Sequence, residues 1–126
     1  MAKVEDRPVD AGLTSVKGKS DAEVLEWWKQ RFALLAAIPT DVARAGALLP
    51  QMRELSQLPE LERRRLTRER MKAFMSLGSE QHQRILAARK LTYAADEALV
   101  KSDDAIADSL AREMPEAQEF GKRLGL

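Results

Sequence analysis

The groups able to do acid–base, nucleophilic or metal chemistry are few, and their spacing decides what they can attempt. The sequence contains no cysteine, which removes disulfides, thiolate nucleophiles and cysteine-held zinc. Its only histidine, His82, has a serine three residues before it, at position 79. The Glu-x-x-His pair of a di-iron helical bundle is therefore missing, and no second histidine exists to complete one. No Gly-x-Ser-x-Gly elbow is present to activate a serine. His82 falls in the first turn of a predicted helix, where exposure to solvent is the expectation. Asp104 and Asp108 lie one helical turn apart and have the reach to share a hard cation, but the central glycine and distal glutamate of an EF-hand are lacking. Asp103 and Asp104 at a predicted helix start are accounted for by the helix dipole. The expectation is a protein without cofactor or metal, and not an enzyme.

The segment Gly12-Leu13-Thr14-Ser15-Val16-Lys17-Gly18-Lys19-Ser20 looks at first like a phosphate-binding loop. It has five residues between its glycines where that loop needs four, and the Arg7-Pro8-Val9-Asp10 stretch before it is no strand. A linker running into a helix cap is the reading that remains.

Binding chemistry is better represented. Residues 63–72 carry Arg63, Arg64, Arg65, Arg68, Arg70 and Lys72 against Glu69 alone, a local charge of +5. On a helix Arg65, Arg68 and Lys72 fall within about 60° of one another, with Arg64 close by, a ridge able to follow a phosphate backbone. Glu60, Glu62 and Glu69 stand one turn away and can absorb part of that charge by pairing along the helix. Residues 96–119 sum to −6, from eight acidic and two basic side chains. The two segments can pair within the fold, pair between subunits, or face separate partners. Trp27 and Trp28 are adjacent in a chain with six aromatic residues. Trp28 belongs to the apolar face of its helix. Trp27 sits about 100° away, where Arg31 can stack on it at the core edge or join it as an interface anchor. Ala87, Leu91, Ala94, Ala95 and Ala98 form a small-residue face on which another helix could pack, within the chain or as a homo-oligomer seam.

The elements that must position these groups are helices. Alanine (19) and leucine (17) far outnumber valine, isoleucine and threonine together (13), a balance that favours helix over strand. Residues 1–19, with Pro8, Gly12, Gly18 and no helical period, are expected to be a flexible arm ahead of a single helical domain over 20–126. Ser20 and Glu23 form a capping box for a helix over about 21–37. The pattern then predicts a short helix over about 41–49 stopped by Pro50, a turn near 51–55, and the arginine-rich helix over 59–75. Further helices are predicted over about 80–100 and, capped by Ser102, over 103–114, with a last turn from Pro115. A weak echo of about 20 residues, an apolar pair before a helix breaker, implies helices of similar length packed antiparallel or as a small solenoid. The expected fold is all-α, a compact bundle or short solenoid-like stack of about five helices.

The chain of 126 residues has a net charge of +1, smaller than a dedicated nucleic-acid or membrane-surface protein usually carries. Its charged N-terminal residues lack a signal peptide's apolar run, and no uncharged stretch approaches the roughly 20 residues of a bilayer span. The expectation is a cytoplasmic protein, with a composition of bacterial type. The function expected is a non-catalytic helical protein-interaction module: an adaptor, accessory subunit or assembly factor. Its candidate partner-binding residues are Trp27, Arg31, Arg64, Arg65, Arg68 and Lys72, with Ala87, Leu91, Ala94 and Ala98 for self-association. The alternative is a nucleic-acid-binding regulator using helix 59–75.

Overall fold

A computed structural model describes residues 12–123. Six α-helices follow a short 3-10 turn at Leu13–Val16: α1 (Asp21–Ala36), α2 (Asp41–Ser56), α3 (Glu60–Met75), α4 (Ser79–Ala95), α5 (Glu97–Arg112) and α6 (Pro115–Arg123). The described residues contain no strand, and no described helix is long and apolar enough to cross a membrane. Helix starts recur every 18 to 20 residues, the spacing implied by the breaker echo. The main packing joins α1 to α3 and α2 to α4, while α5 packs about equally on α2, α3 and α4. Asp21 and Arg65, near the starts of α1 and α3, are ion-paired at 2.8 Å. Phe32 and Phe74, near their ends, meet with ring centroids 6.1 Å apart. The two helices therefore run in the same direction, joined through the intervening α2.

Local chemistry explains where α1 begins. The Ser20 hydroxyl accepts from the Glu23 amide at 3.2 Å, and the Glu23 carboxylate accepts from the Ser20 amide at 3.0 Å. That is the capping box expected from the sequence, and it satisfies backbone donors that the helix itself leaves unpaired. Residues 12–19, which the pattern assigns to a flexible arm, instead join the body. Leu13 and Val16 on the 3-10 turn are buried in the core. Gly12 has φ +66°, and a Cβ there would lie 3.0 Å from both Arg31 and Trp27, so glycine is needed for the approach. The expected arm over residues 1–11 lies outside the described residues.

Helix boundaries differ from the sequence expectation at Pro50 and Asp96, and also at Ser79, which lies inside α4 behind Gly78, and after Pro115, where the expected last turn is a nine-residue helix. Pro50 does not stop α2, which continues to Ser56. A proline inside a helix costs about 3 kcal/mol. Burying Met52 and Leu55 beyond it returns about 1.5–3 kcal/mol each, so packing wins over the local signal. The second difference is at Asp96, with φ −152° and ψ 80°, which ends α4 and caps α5 by accepting from the Leu99 amide at 3.2 Å. The helix expected to run to Val100 thus breaks at Ala95, and Ser102 lies inside α5 rather than at its cap. Val100, Asp103 and Leu110 all become buried as a result.

The end of α1 is satisfied by two arginines. Arg44, buried in α2, donates through Nε to the Leu35 carbonyl at 2.9 Å and through Nη2 to that of Ile38. Arg84 of α4 donates to the Ala36 carbonyl at 3.0 Å. A helix C-terminus leaves its last carbonyls unpaired, and here long side chains from two other helices take them up.

Candidate binding site

All six helices contribute to a cavity of about 380 Å³. Its walls are mainly Trp28 and Phe32 of α1, Met52 of α2, Met71, Phe74 and Met75 of α3, Ile85 of α4 and Phe120 of α6. Met71, Phe74 and Met75 share one face of α3 because residues three and four apart lie over one another. Three of the chain's five methionines line the space, and methionine suits irregular apolar walls because its unbranched side chain adapts. Trp28, 2% exposed, anchors one wall and stacks edge-on to Trp27 with centroids 4.8 Å apart.

The polar part of the lining comes from Gln51, Arg70, Arg89 and Asp104. Arg70 Nη2 donates to Asp103 at 3.0 Å, and Arg89 Nη2 donates to Asp103 at 2.7 Å and to Asp104 at 2.5 Å. Burial pushes the Asp103 carboxyl up, but the charges and hydrogen bonds of Arg70 and Arg89 overcome this and hold it at about 2. Burial likewise opposes the charge of Arg89, and the two aspartates outweigh it and raise its pKa. Gln51 is 5% exposed, lines the cavity, and its side-chain amide makes no hydrogen bond to another group of the described chain. The Trp28 indole Nε1 and the Thr67 hydroxyl are buried with no hydrogen-bond partner.

The sequence-predicted residues fare differently. Arg31 stacks over Trp27 with its guanidinium 5.0 Å from the ring centroid, one of the two arrangements the sequence allows. The basic ridge is largely consumed within the fold. Arg64 donates to Ser109 at 3.0 Å and pairs with Glu113 at 2.5 Å. Arg65 pairs with Asp21 and with Glu62 at 3.0 Å, and also donates to the Lys19 carbonyl. Lys72 pairs with Glu69 at 3.4 Å. Among the described residues Arg68 alone of the ridge has no ion pair or hydrogen bond. The basic and acidic segments therefore pair substantially with each other, through Arg64, Arg70 and α5.

Three further expectations change. His82 is half-buried, not solvent-facing. Its Nε2 donates to the Phe74 carbonyl at 2.5 Å, and its ring packs on Phe74 and Phe120 at 4.7 and 5.2 Å between centroids. Asp103 is a buried mid-helix acid, so the helix dipole does not account for it. The small-residue face is not on one helix, because the break at Asp96 puts Ala98 on α5 while Ala87 is half-buried on α4. Leu91, Ala94 and Ala95 of α4 stay exposed and, with Val42, Ala45 and Leu49 of α2, line a shallow groove of about 300 Å³.

None of the residues expected from the sequence to bind a partner lines the cavity. The available signal was the Met71, Phe74, Met75 spacing on an otherwise cationic helix. No family model, curated protein or solved structure matches this chain.

Proposed function

We propose that the chain is a non-catalytic interaction module, an adaptor, accessory subunit or assembly factor of a larger complex, acting in the cytoplasm. The supporting observation is the groove between α2 and α4, whose lining side chains are all apolar and whose rim residues Leu91, Ala94 and Ala95 stay exposed. Small side chains there let an apolar helix of a partner protein approach closely. Trp27 and Arg31, already engaged with each other and with Gly12, support that surface less well.

Nucleic-acid contact along α3 is the second reading. Its support is reduced to Arg68, since Arg64, Arg65 and Lys72 already hold acidic partners.

The test is affinity capture from nuclease-treated native lysate, with the parent chain and Ala94→Glu as baits. The reading predicts a stoichiometric protein partner held by the parent and lost by the variant. Equal capture by both, or partners that disappear with nuclease alone, would contradict it.

A further inference from the structure

We propose that the cavity is a binding site for a medium-chain aliphatic carboxylate, with the size of dodecanoate. The proposal concerns a different surface from the α2–α4 groove and does not depend on it.

Size sets the first limit. An apolar cavity of about 150 Å³ accepts benzene, so about 380 Å³ accommodates roughly 15 carbon-sized atoms. A single turn of α-helix, with its side chains about 10 Å across and 5.4 Å high, already fills about 420 Å³. The space therefore suits a small flexible ligand and not a peptide helix.

Wall chemistry sets the second limit. Phe32, Phe74, Phe120 and the methionines offer an apolar, deformable lining suited to an alkyl chain. The polar groups define the head. Each guanidinium has five N–H donors. Arg70 uses one nitrogen on Asp103, and Arg89 uses one on Asp103 and Asp104, and neither makes another hydrogen bond among the described residues. Gln51, nine-tenths buried and lining the cavity, brings an amide with no partner. What is left over is mostly donors, and the matching ligand group is an anionic oxygen pair. The formal charges of Arg70, Arg89, Asp103 and Asp104 cancel, so the head is selected by the unused N–H donors, and an ammonium would find both aspartates already accepting from arginine.

The experiment is calorimetric titration of monomeric dodecanoate into the full chain. Methyl dodecanoate and phosphatidylcholine vesicles serve as the comparison ligands. The expected result is saturable binding of one dodecanoate per chain, with the methyl ester bound about tenfold more weakly. Ala111→Phe, which fills the space from α5, should weaken binding at least about tenfold while the circular-dichroism spectrum is kept. Should that variant fail to fold, Ala107→Leu serves the same purpose. Gln51→Leu should weaken binding without lowering the melting temperature, because the amide holds no partner within the described chain. A purely structural glutamine would lower it. Absence of dodecanoate binding by the folded parent overturns the proposal. So does binding that the cavity-filling variant leaves unchanged, or binding to vesicles alone.

Discussion

The cavity and the α2–α4 groove are similar in volume and opposite in construction. The groove is lined by six aliphatic side chains from two helices and carries no polar side chain. The cavity draws on all six helices and sets two arginines, an aspartate and an unpartnered glutamine against its apolar walls. A surface hollow without polar groups gives shape and burial but little orientation. A half-open hollow backed by the buried Asp103 and the largely buried Arg70 holds polar groups ready, and such an arrangement persists where every charge has a partner. In this chain the charges are met by each other and the amide is not.

The largest expected effect lies at the centre of that difference. Asp103→Ala would leave Arg70 and Arg89 without their shared partner in a buried site, and should destabilise the fold by about 3–5 kcal/mol in urea denaturation. A loss under about 1 kcal/mol would mean that water already serves these arginines.

Acid should act through the same group, more gently. The Asp103 carboxyl sits at about 2 when folded, against an ordinary value near 3.8. A depressed folded pKa contributes stability above the unfolded value and loses it as pH falls toward the folded one. The ion cluster should therefore contribute fully above about pH 5 and lose about 2 kcal/mol on acidification to about pH 2. Denaturation midpoints across that range measure it, and a flat profile in the Asp103→Asn variant would assign the loss to this residue.

The smallest stability effect belongs to the groove. Ala94→Glu places a charge on an exposed position and should change unfolding free energy by no more than about 0.5 kcal/mol, while abolishing partner capture. A large destabilisation there would show that the groove is part of the core, and the contrast between the two regions would fail.

How much of this was legible in the sequence follows the range of the interactions. The Ser20–Glu23 cap, the buried Trp28 and the Arg31–Trp27 stack were readable because each is settled within about one turn of chain. Pro50 and Asp96 misled for a common reason: helix limits there are set by what is buried on the far side, Met52 and Leu55 in one case and Val100 and Leu110 in the other. The break at Asp96 then rearranged the candidate sites. It carried Asp103 into the middle of α5, beneath Arg70 and Arg89, and took Ala98 off the expected seam. The cavity was invisible because its lining comes from six helices whose mutual placement no local spacing encodes. The basic ridge was the opposite case, plain in the sequence yet largely neutralised by acids 44 to 49 residues away, such as Asp21 and Glu113.

The central claim is that the two regions are separate binding surfaces. Its most direct test is dodecanoate titration into Ala94→Glu and Ala111→Phe side by side. Parent-like binding by Ala94→Glu and weakened binding by Ala111→Phe is the predicted result. Loss in both variants, or in Ala94→Glu alone, would place the ligand on the groove and contradict the separation.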